Sequence, residues 1–187
     1  MNMTTMTLAG LALSGVFAVT ATSAYAAQWT FDPNQTKVEF KVKGVGGTDG
    51  SFSKFQGTAH YVPDNIEAMK IDFTIDSNSL NAGAKTALYK GENVFNVDDY
   101  PSLKFRSTKV TAQQGNQVKV DGLLTMHGVT KSVSWNMQID PARSSNDQLY
   151  FDANTTIARS NWGMNGYSKL ASDQVNLSIK AKLDTQG

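Results

Sequence analysis

Cysteine is absent from the 187 residues, which excludes disulfides, thiolate metal sites, a cysteine nucleophile and a lipid-modified N-terminal cysteine. Histidine is nearly absent. The only two, His60 and His127, leave little material for imidazole catalysis or zinc binding. Excess charge of one sign is lacking as well: 17 Lys and Arg against 16 Asp and Glu give a net charge of +1. A nucleic-acid binder would normally be strongly basic, so that class is excluded as an expectation. The longest apolar run, Leu8 to Val19, is too short to span a bilayer, and no membrane anchor is expected. A phosphate-binding glycine loop is missing too, because Gly44, Gly46 and Gly47 lie between strands and are not followed by a helix.

The run from Leu8 to Val19 leads to Ala24-Tyr25-Ala26, with small residues where a signal peptidase needs them. Residues 1–26 therefore read as a secretory signal peptide, although no Lys or Arg precedes the run. Export to the periplasm of a Gram-negative cell is the expectation, with 27–187 as a single domain. A composition of 40% hydrophobic and 18% charged residues suits a folded chain of that size.

From Gln28 onward the dominant hydrophobic period is two. Val38, Phe40 and Val42 alternate with lysine and glutamate, and Ile71, Phe73 and Ile75 alternate with Asp72, Thr74 and Asp76. The same pattern runs through Val133 to Ile139 and Val175 to Leu183, and more weakly through 51–62, 103–110, 117–126 and 149–157. Such alternation marks antiparallel strands with one dry and one wet face. Eight main strands with mostly short turns predict an all-β, eight-stranded antiparallel barrel, since closure removes exposed edges. Gln28 to Phe31 forms a short lead-in strand. A short helix is expected over Asn81 to Tyr89, between the third and fourth main strands. Periodicity alone permits a two-sheet sandwich equally well.

Five segments, in order, carry a resemblance. They are Trp29-Thr30-Phe31-Asp32-Pro33 with Val38 and Phe40, then Gly50-Ser51-Phe52 with Phe55 and Gly57, then Phe95-Asn96-Val97 with Tyr100, Pro101 and Phe105. Gly122 to Lys131 (GLLTMHGVTK) follows, and then Ala158 to Met164 (ARSNWGM). Together they resemble the YceI-like family of periplasmic polyisoprenoid-binding proteins. The resemblance implies a lipocalin-like barrel that carries an isoprenoid lipid, of the polyprenyl-phosphate or isoprenoid-quinone kind, with no cofactor beyond that ligand. It implies a carrier and not an enzyme. An enzyme acting on an isoprenoid or quinone precursor in the same cavity is the other reading, as is a surface-interaction module with a packed interior.

On the carrier reading the lining is expected to comprise Phe40, Phe73, Ile75, Phe105, Met126, Trp135, Met137, Phe151 and Ile157. These could equally fill a solid core, because inward alternation looks the same in both cases. Small inward residues such as Gly57, Ala59, Ala153 and Thr155 are expected to leave room. For the polar end of a ligand, Lys85 and Arg159 are the candidates, set against an exposed lysine and an arginine that anchors its own loop. Whether two chains form a homodimer is left open by the sequence.

Overall fold

The computed structural model describes residues 27–45, 47–62 and 65–186. The expected signal peptide, 1–26, lies outside them. Eleven strand segments follow in chain order: β1 (Ala27–Phe31), β2 (Lys37–Val42), β3 (Thr48–Phe52), β4 (Phe55–Tyr61), β5 (Lys70–Asp76), β6 (Leu80–Asn81), β7 (Ser102–Ala112), β8 (Gln117–Met126), β9 (Val129–Ile139), β10 (Gln148–Ala158) and β11 (Gln174–Thr185). One five-residue helix, α1 (Thr86–Lys90), lies between β6 and β7.

The eleven segments make eight long strands, because three of these are interrupted: the expected lead-in strand joins the first, the expected 51–62 strand is broken, and β6 extends β5. Between β1 and β2 the Asp32 side chain accepts from Asn34 N at 2.8 Å, and Thr36 N donates to the Asp32 carbonyl at 2.9 Å. That turn follows from Asp-Pro chemistry, since the aspartate offers a local acceptor and proline cannot join a ladder. β1 pairs with β4 while β2 pairs with β3, so β1–β2 and β3–β4 act as two long, kinked strands. β5 and β6 form the third, broken by a 3-10 turn at Ser77–Ser79.

Each long strand pairs with its sequence neighbour, and β1 and β2 pair with β11 to close the ring. This is an up-and-down antiparallel barrel of eight strands, so the sandwich reading is set aside. The interior carries the residues that alternate inward, including Val38, Phe40 and Val42 on β2 and Val118, Val120, Leu124 and Met126 on β8.

The expected helix is shorter and later than its sequence suggested. Asn81 belongs to β6, opposite Ser51, while its side chain accepts from Gly83 N at 2.9 Å. Gly83, at φ +58°, turns the chain before α1 begins. One seam of the barrel is thin: β9 and β10 pair only through residues 136–139 and 151–154. Above that point the 3-10 turn Arg159–Trp162 packs against β9, and Trp162 donates its indole N–H to the Leu124 carbonyl at 3.1 Å.

The two ends of the barrel differ. One end holds the start of β1, the 113–116 and 140–147 turns and the end of β11. There Trp29, Ala59, Met69, Val110, Val118, Leu149 and Leu183 pack into a continuous core. The other end carries the 43–47 loop, the 82–101 segment with α1, the His127-Gly128 hairpin and the 159–173 loop. The two apolar cavities lie towards that second end.

Candidate functional site

Strand alternation aims large apolar side chains into the upper barrel, and an apolar slot of about 100 Å³ remains between them. All nine residues expected as lining face it: Phe40, Phe73, Ile75, Phe105, Met126, Trp135, Met137, Phe151 and Ile157. The same periodicity adds Val38, Ile71, Leu124, Val175 and others, which the expected lining left out although they alternate inward in the same way. Tyr89, Val94, Phe95 and Met164 were missed as well. They come from α1 and the loops, where no period shows which way a side chain points, and they roof the slot.

The room expected beside Gly57 is taken up. A Cβ there would lie 2.4 Å from the Phe73 ring and 2.8 Å from that of Phe31, so the glycine seats two aromatics and leaves no space. Gly50 does the same for Phe40, at 2.2 Å. Large rings opposite glycines fix the lining and do not open it. Ala59 is fully buried in the packed end, and the Thr155 hydroxyl donates to the Ser134 carbonyl at 2.7 Å. Of the four small residues only Ala153 borders the slot.

A second pocket of about 250 Å³ adjoins the slot and shares Val42, Tyr89, Val94 and Arg159 with it. Lys85, Leu88, Gly166, Tyr167, Leu170 and Ala171 complete its walls. Lys85 therefore stands in this side pocket and not at the slot, with its ammonium donating to the Gly47 carbonyl at 2.6 Å.

Arg159 is buried between the two spaces, at 5% exposure. Its guanidinium donates to the carbonyls of Met164 (2.6 Å), Gly166 (2.7 Å), Ser172 (3.1 Å) and Ala171 (3.5 Å). The arginine thus organises its own loop, the structural role weighed from sequence. All four acceptors are neutral, so a full positive charge sits beside the cavity with only carbonyl dipoles against it. Burial raises the Tyr89 phenol above its ordinary pKa, and the Arg159 charge pulls it partly back.

The other ionisable groups bordering the slot, Glu39 and Lys104, lie on exposed outer positions of their strands. The carboxylates with a marked shift stand outside the slot and the side pocket, and all are held low. Asp32 is held by the Asn34 main chain and Lys182, Asp121 by Ser134 and Lys119, and Asp140 by Arg143. A general acid would need the opposite shift. Among the described residues no group of three or more His, Asp or Glu is placed to hold a metal ion. His127 is set by its hairpin, at φ +50° before Gly128, and its Nδ1 lies 3.1 Å from the Trp162 carbonyl. No helix among the described residues is long and apolar enough to cross a membrane.

A closed eight-stranded barrel with an apolar slot and a cation at its edge defines a lipocalin-like binding architecture. The YceI-like domain model matches residues 29–183, and the chain belongs to the YceI-like family. It is 35% identical over 134 residues to a UPF0312 protein of Yersinia pestis (strain Pestoides F), covering 68% of this chain and 69% of that one. In structure it is similar to Burkholderia cenocepacia BcnA, with a TM-score of 0.75 at 23% identity, covering 81% of this chain and 98% of the other. It also matches a polyisoprenoid binding domain from Saccharophagus degradans, with a TM-score of 0.65 at 13% identity and coverage of 87% and 99%. At those identities the structural likeness speaks for the fold alone.

Proposed function

We propose that this protein is a periplasmic carrier that shelters the chain of an isoprenoid lipid, a polyprenyl phosphate or an isoprenoid quinone, inside the barrel. Residues 1–26 would direct its export. The tail would occupy the slot, and the polar end would lie in the side pocket between Lys85 and Arg159. The observation that carries the reading is an almost wholly apolar slot that shares the walls Val42, Tyr89, Val94 and Arg159 with a second pocket, so that a buried guanidinium stands between the two. Family membership supports it, as does the likeness to a domain described as polyisoprenoid binding.

A hydrocarbon chain offers no hydrogen bonds, so affinity must come from removing it from water. A dozen enclosed carbons contribute roughly 10 kcal/mol gross at about 0.8 kcal/mol per CH₂. Ordering and lost translation offset much of this and leave micromolar to nanomolar binding. At about 100 Å³ the slot matches a single isoprene unit, given that a cavity of about 150 Å³ takes benzene. A longer chain must therefore push side chains aside. Met126, Met137 and Met164 border the slot, and their thioether chains have three soft torsions each. Arg159 and Lys85 supply positive charge for a phosphate or a quinone oxygen, and Lys85 has protons left after its bond to Gly47.

Organic extraction of protein isolated from the exporting cell, followed by mass spectrometry, tests the reading. A prenyl series at about one per barrel is the expected result. Protein that yields no lipid, and takes up no prenyl chain when offered one, would refute it.

A further inference from the structure

We infer that the loop end around the side pocket is a docking face for an anionic phospholipid bilayer, on which the carrier loads and unloads. This rests on the carrier reading and adds where the ligand crosses from membrane to protein. Five large apolar side chains are exposed among the described residues, and four of them meet at this end: Val45 at 95%, Leu170 at 53%, and Leu88 and Tyr167 at 41% each. They come from α1 and from two loops that converge on it. Leu88, Tyr167 and Leu170 wall the same side pocket. The 43–47 loop is tied to both neighbours, because Ser172 N donates to the Lys43 carbonyl at 2.7 Å and Lys85 reaches Gly47. Apolar tips at the apex of loops, rather than in a flat sheet face, suit shallow insertion among lipid headgroups.

Charge argues for the same occupant. Lys43 and Lys169 stand exposed on these loops beside Lys85, and none of the three belongs to the ion pairs of the described residues; the nearest pair, Lys41 with Asp49, lies on β2 and β3 just below the hairpin. No carboxylate walls the pocket. Of the acids on neighbouring segments, Asp173 accepts from Ser160 and Asp99 from Asn96, while exposed Glu92 precedes Asn93, whose carbonyl accepts from Gly166 N at 3.0 Å, and offsets part of the lysine charge. Lysines around apolar tips can bury their stems and keep their ammonium groups among lipid phosphates. Each basic residue at an anionic surface strengthens binding about fivefold. A second copy of the chain fits less well. In a two-fold interface Lys43, Lys85 and Lys169 would face their own copies, and four partly exposed side chains fall short of the area that a stable dimer buries.

The face opens onto the ligand's own route. The side pocket between these tips shares Arg159, Tyr89, Val42 and Val94 with the slot. On this proposal a prenyl tail leaves the acyl layer through the side pocket and reaches the slot by displacing the side chains that the two spaces share.

The test uses the chain from Ala27, which contains the whole closed barrel, and vesicles of phosphatidylcholine with about a third phosphatidylglycerol. Co-sedimentation is compared with that on pure phosphatidylcholine, and uptake of farnesol from solution is followed separately. Binding to the mixed vesicles is expected, weakened at least about tenfold by Val45→Asp and by Lys43→Glu with Lys169→Glu, with farnesol uptake unchanged. Neither variant touches a residue of the slot or side pocket. Variants that sediment like the parent, or a parent that ignores the vesicles while still taking up farnesol, would overturn the docking face and spare the carrier reading. Vesicle binding that responds to the variants without any farnesol uptake would support the face and overturn the carrier reading. A dimer that Val45→Asp dissolves, in protein that does not bind vesicles, would assign the face to a second copy and overturn the membrane.

Discussion

The two ends of this barrel are built from the same alternating strands, yet one is solid and the other hollow. At the packed end Trp29, Met69 and Leu183 are at most 2% exposed, and Trp29 meets Tyr61 edge to face at 5.3 Å between ring centroids. At the other end Phe40, Phe52 and Phe95 form a set of rings, with centroids 5.7 to 5.9 Å apart, that borders the slot. The same strand can serve both: on β11, Leu183 is sealed in the packed end while Val175 borders the slot. Alternation decides which residues face inward, and the loops that fold over an end decide whether the inward space is filled. On the carrier reading, the packed end would hold the ring of strands together while the other end rearranges around the ligand.

Substitution can break that contrast. Leu183→Ala removes a side chain that is packed on every side, and it should cost about 3 to 5 kcal/mol in denaturant unfolding. Met126→Ala borders the slot, where one flank already lacks packing partners, and should cost nearer 2 kcal/mol. It should also widen the space for a prenyl chain. Equal losses at the two sites would mean that the ends are equally solid.

Arg159→Met tests the roof of the hollow end. It leaves the carbonyls of Met164 and Gly166 without their donor and should destabilise by about 3 kcal/mol. Uptake of a phosphate-bearing prenyl ligand should fall more than that of a prenyl alcohol. Equal uptake of both would reduce the arginine to a loop anchor. Ala153→Phe projects a ring into the slot and should cut prenyl uptake at least about tenfold at a stability cost of about 1 to 3 kcal/mol. Unchanged uptake would place the ligand elsewhere.

The smallest expected effect is on pH. The carboxylates of Asp32, Asp121 and Asp140 are held below their ordinary values, so their contribution to folding is fully present above an unfolded pKa of about 4. It is lost as the pH falls from there through the lowered folded values. Lys182 is held above its ordinary value, first by its hydrogen bond to Asp184, so its contribution persists below the unfolded lysine pKa and is lost at strongly alkaline pH. All lie outside the slot. Thermal melts should therefore stay level between these limits, and ligand uptake should not follow them.

Much of the barrel was legible in the sequence because a period of two is a local property. β8 and β9 read cleanly, joined by His127-Gly128, and both residues adopt the positive φ that a tight hairpin requires. The break in the first strand was foreshadowed by Asp32-Pro33, whereas the 3-10 turn that cuts β5 from β6 depends on Ser77 docking its amide on the distant Pro101 carbonyl. The nine large lining residues were legible as inward-facing, but not as bordering space. Met69, just before β5, and Phe73 on it obey the same alternation, yet only Phe73 reaches the slot. Gly57 misled because what fills the room beside a glycine is a ring from the next strand. The partners of Arg159 are main-chain carbonyls of a non-repetitive loop, which no side-chain pattern records.

The methionines offer the most direct measurement of the central claim. Met126, Met137 and Met164 border the slot, while Met69 is sealed in the packed end. In a chain beginning at Ala27 these four are the complete set. Methyl NMR of methionine-labelled protein, titrated with a prenyl chain, should move the three slot signals and leave Met69 in place. Signals that all stay put, or a Met69 shift as large as the others, would contradict a ligand space confined to the hollow end.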